Sequence, residues 1–469
     1  MIPGEKMTKL KTDTMFKQFL KYCIPTVLSL LVFSLYTMVD GMFVAWGVSE
    51  LALSAVNICM PFVQMLFAVA ILFAVGTSTV SAVLSGQQRH AEANRVFSQN
   101  AALLAVAGAV MTVVVLVFTD QIAEFLGAVP ENGAYVRQYL RGLAPFCISI
   151  MISYSLEILV KTDGFPHLAI VAVVTGAVTN CVLDYLFVMV FGWGVPGAAV
   201  ATGMAQTLVM LIYIIHFLKK RGKFRFVRFR FDPKVYKRII PIGIPDGLTE
   251  LSVGVTVFMF NWVVLRFIGV GAVVSYTITS YIGNIVIMVM AGISQGIQPL
   301  VSYYKGCGEL DCARKLFGYA VKSVAVMSVI SLVICVAAAP QIAGIYISGG
   351  EAGLLEYSVH VLRVYSISFL IAGYNIVTSG FLVALEKPVG AIAISLLRSI
   401  VVLACSLFVL TAVFGGEGIW WATTLTEGIC LVISLLVLRS VEKGFRHGSA
   451  HTDTLATMRE SGENETLSC

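Results

Sequence analysis

An all-α integral membrane fold of twelve transmembrane helices, arranged as two pseudo-symmetric six-helix bundles, is predicted by three observations. The 469 residues are 58% hydrophobic and only 12% charged, with a mean hydropathy of +0.89, beyond what a chain with a charged, water-facing surface carries. The apolar residues gather into about twelve runs, each of the roughly 20 residues that a helix needs to cross the hydrocarbon core. The sequence also repeats itself at a nearly constant offset along most of its length.

The runs cover residues 22–46, 54–80, 97–118, 137–160, 167–191, 196–218, 239–265, 273–300, 316–338, 358–384, 389–412 and 418–438. They are helices, not barrel strands. A stretch such as Ala101 to Phe118 is apolar on every side, whereas a barrel strand alternates apolar and polar positions. The first run follows Lys6, Lys9, Lys11, Lys17 and Lys21 without a cleavage site, so it reads as a retained helix and not as a secretory signal. Pro25, Pro61, Pro145, Pro245 and Pro299 fall inside spans, where they can kink a helix and free carbonyls beside a cavity.

A shift of 220 residues pairs Ile24-Pro25 with Ile244-Pro245, Gly76 with Gly296, Gly86 with Gly306, Ala93 with Ala313 and Phe97 with Phe317. A shift of 222 continues the register through Leu140-Arg141 with Leu362-Arg363 and Pro166 with Pro388. Six helices per copy is an even number, so both copies have the same orientation and are related by an axis along the membrane normal. The expected division is a segment 1–21, a first lobe 22–218, a basic linker 219–238, a second lobe 239–440 and a polar, disordered tail 441–469. Paired bundles around a central cleft suit transport by rocking better than enzymology.

The net charge of +6 does not indicate a nucleic-acid partner, because the basic residues gather on one side of the membrane. The linker holds Lys219, Lys220, Arg221, Lys223, Arg225, Arg228, Arg230, Lys234, Lys237 and Arg238. Arg89, Arg95, Lys161, Lys305, Arg314, Lys315, Lys387 and Arg439 fall in alternate loops on the same side. The breaks near Glu50, Asp120 to Glu131 and Gln341 to Glu356 carry no Lys or Arg. This asymmetry predicts a multi-pass protein of the cell (inner) membrane with both termini cytoplasmic, surrounded by lipid. The ten cysteines lie mostly inside spans, where they pack as small apolar residues. Cys307 and Cys312 lack metal-ligand spacing, and no disulfide is expected in a reducing compartment.

Charges inside spans carry the functional information, since each costs about 2.5–3.5 kcal/mol near the bilayer centre on insertion scales. Asp40, Glu157, Asp184, Glu250 and Glu427 are the acids singled out, with Arg398 the deeply placed base. Asp40 and Asp184 each lie about 18 residues into helices that run outward, hence roughly 27 Å along the axis, and Thr202 falls within about 10 Å of the same level. Asn180 precedes Asp184 by four residues, which puts both on one helix face. Carboxylate, amide and hydroxyl oxygens suit a hard cation such as Na⁺. The same cluster can hold a proton, because two carboxylates in a dry site do not both stay ionised cheaply. The repeat position opposite Asp40 is Phe260, so this acid is no symmetric structural fixture. Glu250, Glu427 and Arg398 fall near mid-depth and form a second polar centre, with an ion pair from Arg398 to either glutamate as the plain alternative to direct cation binding. Glu157, about 20 residues into its helix, reads as an acid that snorkels to the inner interface.

These residues resemble the multidrug and toxic compound extrusion (MATE) family over residues 20 to 440. The likeness is carried by Leu35-Tyr36-Thr37-Met38-Val39-Asp40-Gly41-Met42-Phe43-Val44, by Gly296-Ile297-Gln298-Pro299, and by Gly194-Val195-Pro196-Gly197-Ala198-Ala199-Val200-Ala201-Thr202. Asn180-Cys181-Val182-Leu183-Asp184 and Leu396-Leu397-Arg398 add to it. The resemblance implies a V-shaped pair of bundles that exports amphipathic, mostly cationic compounds in exchange for H⁺ or Na⁺. It implies Asp40, Asn180, Asp184 and Thr202 as the ion site, with Na⁺ as the candidate metal. Tyr36 and Gln298 join Glu250, Arg398 and Glu427 in the substrate-facing centre. No cofactor and a monomer are expected. Where many relatives carry an Arg, this chain reads Val160-Lys161-Thr162-Asp163-Gly164.

A lipid-linked saccharide flippase of related fold is the alternative, but such a protein lines its cleft with bases for a pyrophosphate, and the buried charges here are mainly acids. No G-x-x-x-x-G-K-[ST] stretch for ATP occurs. The histidines at 90, 167, 216, 360, 447 and 451 show no zinc spacing, which argues against an enzyme.

Overall fold

The computed structural model describes residues 3–347 and 352–465. Among these residues, eleven helices are long and apolar enough to cross a membrane, and a bent pair, taken as one span, supplies a twelfth. In chain order they are α1 Thr14–Gly47, α2 Leu51–Gly86, α3 His90–Val117, α4 Gly133–Thr162, α5 Pro166–Val190, α6 Val195–Leu218, α7 Pro233–Phe267, α8 Gly271–Gly306 and α9 Leu310–Ala337. There follow α10, Gly353–Ser366 with Phe369–Ala384 bent by 42°, then α11 Pro388–Phe414 and α12 Gly416–Lys443. No strand occurs among the described residues.

The helices overrun the apolar stretches by several residues. α2 continues through Thr77, Ser78, Thr79, Ser81 and Ser85, all buried, because the neighbouring helices, and not lipid, surround that end. Two short helices, Thr119–Leu126 and Ala339–Tyr346, begin 220 residues apart, so the repeat extends into the surface elements. The structure carries the last helix on to Glu465 where the composition of the tail suggested disorder; no proline interrupts it. Exposed Val106, Val110, Val113 and Val117 line one flank of α3, the apolar surface that lipid covers.

Each bundle has its own core, but the two exchange helices at the end that carries the basic loops. Met15, Phe19 and Cys23 of α1 pack into the core of the second bundle. Ile239 and Ile242 of α7 pack into that of the first. The crossings are close because glycine stands at them. A Cβ on Gly243 would lie 1.8 Å from the Leu72 carbonyl oxygen, and one on Gly296 would lie 2.8 Å from Cys23 Cα. Gly86 and Gly306, repeat mates, face each other: a Cβ on the first would meet the Tyr303 oxygen at 2.3 Å, and one on the second the Val83 oxygen at 2.2 Å. The pseudo-twofold axis therefore passes between α2 and α8 at this seam.

The linker between α6 and α7 is tied to the first bundle. Asp163 accepts the backbone N–H groups of Lys223 at 2.6 Å and Phe224 at 2.8 Å, and lies 3.0 Å from His216 Nε2. Gln99 Nε2 donates to the Asp232 carbonyl at 2.8 Å. Lys161, assigned to a loop by its position in the sequence, is the last turn of α4 and is 3% exposed. The correction follows from its partner, Glu157, one turn earlier on the same face.

Candidate functional site

A buried polar cluster lies where α1, α5 and α6 meet. α5 carries Asn180 and Asp184 on one face, and its regular winding gives way to a π-turn at Tyr185–Val190 immediately after Asp184. Such bulges insert a residue into the hydrogen-bond ladder and recur at functional positions. The Asp40 carboxyl lies within hydrogen-bonding reach of the carboxyl of Asp184 and of the side chains of Asn180 and Thr202. Asn180 Nδ2 donates to Thr202 Oγ1 at 3.4 Å. Asp40 is 6% exposed, and Asn180 and Asp184 are wholly buried.

Four oxygens of this cluster receive no donor: Asp40 Oδ1, Asn180 Oδ1 and both oxygens of Asp184. Buried polar atoms are almost always hydrogen-bonded, and two unpartnered carboxylates side by side repel each other strongly in a low dielectric. Carboxylate, amide and hydroxyl oxygens placed in this way are the kind of group that takes up a proton or a hard cation. Asp40, Asn180, Asp184 and Thr202, expected together from the sequence, are thus brought together.

Asp40 opens onto a cleft of about 340 Å³ between the bundles. Rings crowd its first-bundle wall: Phe33 stands edge-on to Tyr36 at 5.2 Å and to Phe67 at 5.6 Å, and Phe67 meets Tyr154 at 5.0 Å. The opposite wall presents Asp246, Glu250, Asn375 and Arg398. Such walls offer aromatic faces and carboxylates to an organic cation.

The second polar centre divides. Arg398, on a π-turn at Leu397–Val401, donates to Glu427 Oε1 at 2.6 Å, and Asn375 Nδ2 donates to Glu427 Oε2 at 2.8 Å. Ser434 Oγ in turn donates to Asn375 Oδ1 at 2.9 Å. Glu427 thus has both oxygens satisfied and stands behind Arg398, off the cleft wall. Glu250 does not share this network and faces the cleft. Gln298 hydrogen-bonds Asp246, which lies close to Glu250. Tyr36 accepts from Gln206 Nε2 at 3.2 Å, next to the first cluster. Glu157, expected to reach the interface, instead faces the bundle interior, with Lys161 Nζ 2.8 Å from its Oε1.

Sequence reasoning missed Asp246, Tyr139, Gln206 and Asn375. Asp246 and Glu250 repeat the four-residue spacing of Asn180 and Asp184, a signal that could have found the first. Tyr139, whose buried ring flanks Asp40, carries no pattern of its own. Gln206 and Asn375 are uncharged residues within apolar runs, and only their partners mark them.

Two six-helix bundles around a polar, ring-lined cleft, with unpartnered acids buried beside it, define a membrane transporter and not an enzyme. The profile of the MatE family matches residues 25–186 and 245–437, most of α1 to α5 and of α7 to α12, and the chain belongs to that family. It is 24% identical over 439 residues to the "Multidrug export protein MepA" of Staphylococcus saprophyticus, covering 92% of this chain and 96% of that protein. The MepA of Staphylococcus aureus gives the same identity and coverage. Among solved structures, "MATE in the bent conformation" superposes with a TM-score of 0.86 at 21% identity, over 93% of this chain and 97% of that one. An "Outward-facing conformation of a multidrug resistance MATE family transporter" does so with 0.86 at 22%, over 92% and 96%.

Proposed function

We propose that this transporter is a secondary active antiporter that exports amphipathic, mostly cationic organic compounds in exchange for H⁺ or Na⁺. The observation that carries the reading is the buried Asp40–Asp184 pair, whose oxygens lack donors while Asp40 itself lines the cleft. Loading a proton or Na⁺ there removes negative charge from the cleft wall, so a bound organic cation is held less tightly and leaves. When the ion departs, the acids again favour a cation. Exchange follows because the two positive species draw on the same negative charge. The names of the staphylococcal relatives, which are multidrug exporters, point to a broad range of substrates.

Asp246 and Glu250 supply the substrate's counter-charge on the opposite wall, with Tyr36 and the neighbouring rings stacking on its apolar part. Arg398 sets the positive limit of the cleft, and Glu427 with Asn375 holds it in place. The end with the basic loops faces the cytoplasm, both chain ends lie there, and one copy in the cell membrane suffices. A flippase for pyrophosphate-linked sugars fits less well. Among the described residues that line the cleft, three acids, Asp40, Asp246 and Glu250, outnumber the single base Arg398, and a pyrophosphate would be repelled.

The test is efflux of an organic cation from reconstituted vesicles under a Na⁺ gradient alone and a pH gradient alone. At least one gradient should drive export by the wild type, and Asp40→Asn should reduce that export by about tenfold or more at unchanged expression. Gradient-driven export by Asp40→Asn at the wild-type rate would rule the reading out.

A further inference from the structure

Behind the Asp40–Asp184 cluster, on its basic-end side, lies a smaller chamber inside the first bundle, divided from the cleft by Phe33, Tyr36, Tyr154 and Thr202, which line both. Its volume is about 20 Å³, and a cavity holds one water when it offers roughly 10–15 Å³ to the probe. It therefore admits one water or one small ion at a time. Its near wall is Asn180 and Thr202 of the cluster, and its far wall is Glu157. Asn180, wholly buried, lines this chamber, and its Oδ1 has no partner. Tyr36, Gln206 and Ser153 add a hydrogen-bonded chain to a lining that is otherwise largely apolar: Ser153 Oγ donates to Gln206 Oε1 at 2.8 Å and Gln206 Nε2 to Tyr36 at 3.2 Å.

Glu157 is a poor structural residue at this place. Its side chain is 13% exposed and that of Lys161 4%, and a buried ion pair contributes little net stability because desolvation offsets the attraction. The other titratable groups facing it are the phenols of Tyr36, Tyr154 and Tyr213, which are neutral at pH 7. Among the described residues, Lys161 is the base that pairs with it. Two residues beyond Lys161, just past the end of α4, Asp163 accepts the backbone N–H groups of Lys223 and Phe224 in the linker.

We propose that Glu157 and Lys161 form a second station for the small monovalent cation, through which it passes from the Asp40–Asp184 cluster to the cytoplasm inside the first bundle, without entering the drug cleft. In the resting protein the Lys161 ammonium occupies Glu157. The arriving ion crosses the chamber, takes the ammonium's place at the carboxylate, and Lys161 turns to the cytoplasmic water with its charge unchanged. For a proton, the aspartic carboxyl loses it and the Glu157 carboxylate gains it; for Na⁺, the ion exchanges the oxygens of Asp40, Asn180 and Asp184 for those of Glu157. Separate routes for ion and drug let the two occupy the protein in sequence without blocking each other. This inference builds on the antiport reading above.

The test compares wild type, Glu157→Gln, Glu157→Asp and Asp40→Asn in vesicles, with ethidium as the exported cation and Na⁺ and pH gradients applied separately. Binding of ethidium and its displacement by the driving ion in detergent should stay within about twofold in Glu157→Gln, while gradient-driven exchange falls about tenfold or more; Glu157→Asp should regain most of the rate. Exchange by Glu157→Gln within twofold of wild type would overturn the proposal. So would loss of ion displacement together with exchange, which would make Glu157 part of the first cluster. Should Glu157→Gln not yield folded protein, Ala177→Val, which narrows the chamber without removing a charge, must show the same separation of binding from exchange, and an unaffected rate refutes the route. The ion whose gradient drives exchange identifies the traveller as H⁺ or Na⁺. Unimpaired export by Asp40→Asn refutes antiport itself, independently of how the Glu157 variants behave.

Discussion

Gly306→Ala adds one methyl group at the seam that closes the basic end. The new carbon would stand 2.2 Å from the Val83 carbonyl oxygen and 2.9 Å from its carbon. Ordinary contact needs about 3.5 Å, so α2 and α8 must separate by more than about 1 Å. The obstructing atoms are backbone, and no side chain can swing aside. Overpacking of this kind costs about 1–3 kcal/mol. It acts only while the seam is shut, because the two glycines belong to different bundles. The closed state should therefore lose roughly 5- to 150-fold in population relative to any state with the basic end parted. Spin labels on exposed Gln87 and Lys315 report the separation of α2 and α9 at that end. The mean distance in Gly306→Ala should lengthen or broaden toward a second population, while Gly318→Ala, whose new methyl meets nothing within 4 Å, leaves it unchanged. A folded Gly306→Ala protein with the wild-type distance distribution would refute the claim that this contact holds the end shut.

Other expectations concern charge. Asp246→Asn removes a cleft carboxylate within a few ångströms of a bound cation; after desolvation this attraction is worth about 1–2 kcal/mol, so ethidium should bind roughly 5- to 30-fold more weakly by equilibrium titration, with little change for an uncharged substrate. Arg398→Met strands the Glu427 charge and should destabilise the protein by about 3–5 kcal/mol, read as a lowered melting temperature in detergent. The double variant Arg398→Met, Glu427→Leu should recover much of that loss. At Glu386, burial raises the carboxyl, but ion pairs with Arg238 and Lys305 outweigh it and hold its pKa below the usual value. Its stabilisation is thus present above about pH 4.3 and fades as pH falls through the lowered folded-state value. The difference in thermal stability between wild type and Glu386→Gln should shrink over that interval.

Much of the site was legible because acids inside apolar runs are costly and therefore conspicuous. Helical spacing brought Asn180 to Asp184, and equal depth brought Asp40 to their level. Glu157 was misread for lack of one fact. A carboxylate near the end of a span can reach the interface or turn inward, and only the position of Lys161 within α4 decides it. The choice between Glu250 and Glu427 as partner of Arg398 had the same character, since all three share a depth and differ in rotation about their helix axes.

Hydropathy, length and the 220-residue repeat determined the twelve spans and the two bundles, because a backbone in lipid must satisfy its own hydrogen bonds and a duplicated sequence folds into duplicated structure. Which helices touch across the repeats was decided by tertiary packing alone. The entry of Cys23 into the second core, the meeting of Gly86 with Gly306, and the chamber between Asn180 and Glu157 all depend on rotations and crossings between residues distant in the chain. A one-dimensional pattern records how deep a residue sits and which side of its own helix it occupies. It does not record which neighbour that side will face.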